Sequence, residues 1–114
     1  VRAIIALTES GGTARYLSRF RSAVPIFGMS RHVAARRRMS MMRDVHPVDF
    51  DSGDMSPRNA ARAAVEKLFG LGLLAVGDRV VITAGDHMQQ HGSTNTLRLL
   101  RVGEGGVAEG LGEL

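Results

Sequence analysis

Thr8, Glu9, Ser10, Gly11, Gly12 and Thr13 bring three hydroxyls and two glycines together at one point of the chain. The chemistry they suit is the holding of an anion. Hydroxyls donate hydrogen bonds, and glycines let a ligand approach the backbone closely. A helix starting here adds free backbone N–H groups and the positive end of its dipole. The other reading is a plain turn in which Thr13 caps that helix. Neither nucleotide fingerprint, G-x-x-x-x-G-K-[ST] nor G-x-G-x-x-G, occurs in the chain. Glu9 weighs against a highly charged ligand, because a carboxylate beside a phosphate repels it. A monophosphate therefore suits the loop better than a bisphosphate.

A second polar stretch, Gly85 to Thr96, carries Gly85, Asp86, His87, Gly92, Ser93 and Thr94. His87 and His91 are spaced i, i+4, as metal ligands on a helix would be. A metal site needs three or four converging donors, and no third one is near, so the pair reads as polar loop residues. Asp49, Asp51 and Asp54 cluster in a polar turn, where solvation accounts for them. No Ser-His-Asp set or paired carboxylates can be assigned, so no residue is predicted to be catalytic. The basic run Arg31–Arg43, RHVAARRRMSMMR, could face a nucleic acid, but it has no aromatic residue for stacking and reads as a solvated face. Met39, Met41 and Met42 read as core or interface filler.

The elements that must position these loops follow from periodicity. Ala3–Leu7 is a continuous apolar run, as in a buried parallel strand. An amphipathic helix with Tyr16, Leu17 and Phe20 on one face follows the first loop. Val24–Met29 reads as a second strand, and Ser30 as the cap of a helix over Arg31–Met42. Val45–Phe50 contains Pro47, which cannot donate to a ladder, so this third strand is expected at an edge. Ser56 and Pro57 mark a strong helix start, with Ala61, Ala64, Val65 and Leu68 at helical spacing and Gly70 and Gly72 at its end. Gly77-Asp78 turns the chain into a fourth strand, Arg79–Thr83, and Thr96–Val102 is a fifth. The tail, residues 103–114, holds five glycines with little pattern and is expected to be loosely held.

Alternation of this kind predicts a three-layer α/β/α fold on a five-stranded mixed sheet. Right-handed crossovers place the first three strands in sequence outward. With the third at an edge, the next helix returns the chain to the far side of the first strand. The predicted order is 3-2-1-4-5, with strand 5 antiparallel. Ligands bind where such a sheet reverses its winding, here between strands 1 and 4. The 8–13 and 85–96 loops both lie there, so topology and loop chemistry predict one shared site.

Composition sets outer bounds. The chain has 114 residues, 44% hydrophobic and 23% charged, which suits one folded domain. Without cysteine there is no disulfide scaffold, thiolate zinc site or thiol catalysis, which fits a cytoplasmic protein. No apolar run reaches membrane-spanning length, so no membrane partner is expected. The net charge of +4 comes almost wholly from Arg, Lys67 being the single lysine. Such a balance permits phosphate or nucleic-acid binding without demanding either. The chain opens almost inside its first strand, which suggests a fragment of a longer protein.

Four segments in order, LTESGGTARYLSRFR, VPIFGMSRH, MMRDVHPV and GDRVVITAGDHMQQHGSTNTLRLLRV, resemble the C-terminal domain of pyruvate kinases. The most specific parts are LTESG, the S-R-[FY]-R-x-x-[VA]-P-I pattern, and the G-x-T-N-T motif opening the last hairpin. The likeness covers residues 1–102 and implies a regulatory, effector-binding and oligomerising domain. The parent enzyme would be a phosphotransferase of glycolysis, moving a phosphoryl group from phosphoenolpyruvate to ADP. Its substrate, magnesium and potassium sites would lie in a (β/α)8 barrel absent from this chain, so the fragment alone would be inactive and hold no cofactor.

By the same resemblance, Thr8, Glu9 (through its backbone), Ser10, Gly11, Gly12 and Thr13 hold an effector's phosphate. Gly85, Asp86, His87, Gly92, Ser93 and Thr94 belong to the loop that closes over it, with Arg21 a candidate extra contact. The second phosphate of fructose 1,6-bisphosphate is often held by a Trp and an Arg in this family, and the chain has no Trp. AMP, ribose 5-phosphate or glucose 6-phosphate is therefore the better expectation. Implied partners are that effector, the enzyme's own barrel and further copies of the chain, as a tetramer. The alternatives left open are a free-standing phosphosugar- or nucleotide-binding module and a basic nucleic-acid-binding domain.

Overall fold

The structure, a computed structural model, describes residues 1–18, 24–53, 55–84 and 96–113. Six strands form one sheet: β1 (Ala3–Leu7), β2 (Ile26–Ser30), β3 (Val45–Asp49), β4 (Arg79–Ala84), β5 (Thr96–Val102) and β6 (Ala108–Glu113). Their order is β3-β2-β1-β4-β5-β6. The first four are parallel, and β5 and β6 are antiparallel to their neighbours. The predicted order of the first five strands holds, with Pro47 on the edge strand β3.

Three helices connect them: α1 (Gly12–Ser18), α2 (Val33–Met39) and α3 (Pro57–Gly70). Alternation along β1 divides the core between two faces. Ala3, Ile5 and Leu7 join Ala60, Ala61, Ala64, Val65 and Leu68 of α3. Ala6 faces the other way, with Ala14 of α1 and Ala35 and Met39 of α2. Helices thus cover both faces of the sheet, giving the three expected layers. Val65 and Leu68 are fully buried, and each such side chain contributes about 1.5–3 kcal/mol by leaving water. The signals at the start of α3 act as read: Ser56 Oγ accepts from the Asn59 N–H at 3.2 Å, and Pro57 is the first helical residue.

Three expectations need correction. Residues 103–113 of the tail are not loose: Glu104–Gly106 form a 3-10 turn, and β6 pairs with β5, so the sheet has six strands rather than five. The unpaired outer edge of β5 drives this by offering a row of free N–H and C=O groups. Gly106 lies against the Phe69 ring, where a Cβ would stand 2.6 Å from Cδ2. Second, Ser30 does not cap α2. Pairing with Asp49 keeps it in β2, so α2 begins only at Val33, with His32 as its N-cap. Third, Met41 is 87% exposed, while Met39 is fully buried and Met42 packs partly buried on the same cluster.

Met39 reaches the sheet because Gly28 leaves room for it: a Cβ on Gly28 would fall on Met39 Sδ. Interiors packed to crystal density accommodate such overlap poorly. Gly28→Val should therefore lower stability by about 1–3 kcal/mol in urea unfolding. Adding Met39→Ala should recover part of that loss, making the two changes non-additive.

Candidate functional site

The sheet reverses its winding between β1 and β4, and the 8–12 loop leaves β1 at that point. Register fixes its neighbours. Leu7 pairs with Met29 on one side and Ala84 on the other, and Ala84 in turn pairs with Thr96. Both stems of the 85–95 segment therefore stand beside the carboxyl end of β1. Gly85, Asp86, His87, Gly92, Ser93 and Thr94, together with Arg21, lie outside the described residues.

The loop satisfies its own backbone. Thr8 is buried, and its N–H donates to the Met29 carbonyl at 3.0 Å, extending the β1–β2 ladder by one bond. Its Oγ1 accepts from the Gly11 N–H at 2.9 Å, and Ser10 Oγ accepts from the Gly12 N–H at 3.1 Å. Gly11 has φ +90°, a left-handed conformation that strains any residue with a side chain, and a Cβ there would come within 3.2 Å of Met39 Cγ. Gly12 opens α1, and the Arg15 N–H donates to the Gly11 carbonyl at 2.9 Å. Thr8, Ser10, Gly11 and Gly12 are thus brought together. Thr13 follows in the first turn of α1 and is not the residue that precedes the helix.

The Glu9 carboxylate is turned toward the start of α2. It accepts from Arg31 Nη2 at 3.2 Å and Nε at 3.4 Å, and His32 Nε2 stands 2.8 Å from its Oε2. Its negative charge, which counted against an anion in the sequence, is thus shared with two cationic or polar partners. The Glu9 carbonyl accepts from Ser30 Oγ at 3.3 Å. Arg38 forks onto the Ser10 carbonyl, with Nη2 at 2.8 Å and Nε at 3.3 Å.

Sequence reasoning did not assign Arg31, His32 and Arg38 to this loop. A signal for them was present: β1 and β2 are parallel neighbours, so the loops that follow them share one end of the sheet. The basic run is largely used up in this way, since Arg36 also donates to Asp49 Oδ1 at 3.1 Å and to the Ser30 carbonyl at 3.0 Å. Among the described residues, no group of three His, Asp or Glu stands close enough to hold a metal ion. No helix among them is long and apolar enough to cross a membrane.

Residues 1–100 match the family described as pyruvate kinase, alpha/beta domain. Pyruvate kinase II of Salmonella typhimurium is 48% identical over 90% of this chain and 21% of its own length. Pyruvate kinase of Staphylococcus aureus is 36% identical over 98% of this chain and 19% of its own. The chain thus spans about a fifth of the length of the curated relatives it matches. Among solved structures, Cryptosporidium parvum pyruvate kinase in complex with ADP superposes with a TM-score of 0.71. That match covers 87% of this chain and 20% of that one at 23% identity, a likeness of fold.

The Thr8 hydroxyl carries the turn, because its removal leaves the Gly11 N–H unpaired in a buried place. Thr8→Val should cost about 1–3 kcal/mol in urea unfolding. Thr8→Ser, which keeps the acceptor, should cost clearly less.

Proposed function

Because this chain belongs to the pyruvate kinase alpha/beta domain family, we propose that it is the regulatory C-terminal domain of a bacterial pyruvate kinase, binding a phosphorylated effector at the loop after β1. The observation that carries this reading is the convergence of Thr8, Ser10, Gly11 and Gly12 at the point where the sheet changes winding. Two hydroxyls and two backbone N–H groups meet there, each N–H now bonded to a hydroxyl three or two residues before it. A phosphate can take over those N–H groups and leave the freed hydroxyls to donate to it as well. Thr13 and the 85–95 segment complete the proposed set, the segment closing from the β4–β5 side.

The pairing of Glu9 with Arg31 and His32 supports an anion at this loop, since it withdraws the loop's own carboxylate. AMP and sugar monophosphates fit better than fructose 1,6-bisphosphate, because the described residues form one phosphate cradle and the chain has no Trp to hold a second phosphate. In the whole enzyme the domain would work in the cytoplasm against its own barrel and within a tetramer. The reaction there is phosphoryl transfer from phosphoenolpyruvate to ADP. Magnesium and potassium would belong to that barrel.

AMP, ribose 5-phosphate and glucose 6-phosphate, each added in a thermal-shift series, test the reading. One of them at a hundred times its dissociation constant should stabilise the fold by about 2.7 kcal/mol. Ser10→Asp should abolish that shift by charge repulsion while leaving the unliganded transition in place. A full shift in the Asp variant would take Ser10 out of the site.

A further inference from the structure

Arg38 is spent differently from the other arginines of the basic run. Arg31 and Arg36 each pair with a carboxylate, that of Glu9 and that of Asp49. Arg38 gives both its bonds to one neutral oxygen, the Ser10 carbonyl, from Nη2 at 2.8 Å and from Nε at 3.3 Å. It stands in the last turn of α2, where the helix dipole favours a cation.

A trans peptide is planar, and its C=O and N–H point in opposite directions. No cis peptide occurs among the described residues. The Ser10–Gly11 peptide is held at both ends. Its oxygen accepts from Arg38, and its N–H donates to Thr8 Oγ1 at 2.9 Å. The Gly11 amide is thus aimed by a side chain on the far side of its own peptide. The peptide before it is held in the same way, since Ser30 Oγ donates to the Glu9 carbonyl at 3.3 Å.

Glycine permits a second orientation. Gly11 stands at φ +90°, and turning the Ser10–Gly11 peptide over would carry it to negative φ, which glycine adopts as readily. The amide would then lose Thr8 and face the guanidinium, donor against donor. Arg38 selects between these two backbone states. Its charge also polarises the peptide, which strengthens the N–H as a donor.

We propose that Arg38 is a positioning residue, latching the Ser10–Gly11 peptide so that the Gly11 amide is presented to a bound phosphate that Arg38 itself does not touch. In its bearing on the phosphate this rests on the effector reading of the 8–13 loop; the latch itself does not. Without the latch, only a fraction of the molecules present the amide, and the apparent affinity falls by that fraction.

Arg38→Met and Arg38→Lys test this with two measurements. Met keeps an apolar stem without the charge, and Lys keeps the charge without the fork. With no ligand present, amide hydrogen exchange at Gly11 should be roughly tenfold faster in Arg38→Met, with Ile5 of the core unchanged. Arg38→Lys should fall between Met and wild type. AMP, ribose 5-phosphate and glucose 6-phosphate are then titrated in turn. The probe that wild type binds should bind Arg38→Met roughly tenfold more weakly, with Lys again between. Position 38 is exposed, so both variants should unfold at the wild-type temperature. The latch is overturned if Gly11 exchanges in Arg38→Met as in wild type, if Ile5 accelerates with it, or if a bound probe keeps its wild-type affinity. If wild type binds none of the three probes, the effector reading fails, and Gly11 exchange alone decides the latch.

Discussion

The structure is organised by the burial of β1. Ile5 and Ala6 point to opposite faces and both are fully buried, and parallel strands flank β1 on each side. The turn that ends it is still buried at Thr8 and Gly11, although Ser10 and Gly12 are exposed. The chain that leaves it must either find hydrogen-bond partners or bury unpaired polar groups at a cost of about 1–3 kcal/mol each. Thr8, Ser10 and the left-handed Gly11 are the answer to that requirement. The same groups that close the turn are those an anion would use. On the proposed reading stability and binding are therefore not separable here: the loop's Gly11 and Gly12 amides are already bonded, and a ligand would exchange those bonds rather than fill vacancies.

The second layer of control comes from α2 and the residues before it. Arg31 and His32 draw the Glu9 carboxylate aside, and Arg38 pins the Ser10 carbonyl. These pairs are partly exposed, so each is worth little in stability. Their effect is on geometry and field: they orient the loop and remove a repulsive charge from it. A basic segment that composition alone would assign to solvent or to a polyanion is thus mostly spent within the fold.

Much of this was legible in the chain. The period of α3, with Ser56 and Pro57 at its start, and the solid apolar run of β1 left little freedom in placing them. Pro47 at an edge then fixed the strand order, because right-handed crossovers allow few alternatives. The 8–12 loop was legible for the same reason, since hydroxyls and glycines there have a mechanism. What escaped was set by tertiary pairing. Ser30 looks like a helix cap, but its ladder partner Asp49 holds it in the strand. Residues 103–113 lack a strand pattern because Gly110 and Gly112 interrupt the alternation, and only the open edge of β5 selects them. Arg38 lies 28 residues from the carbonyl it holds, a separation that no local pattern reports.

The central claim is that the amides of the first turn exchange their hydroxyl partners for a phosphate. Amide nuclear magnetic resonance of the protein, titrated with AMP, ribose 5-phosphate and glucose 6-phosphate, reads those groups directly. The Gly11 and Gly12 resonances should move together and saturate with one of the three ligands. Saturable shifts confined to the α3 face, with Gly11 and Gly12 unmoved, would contradict the account.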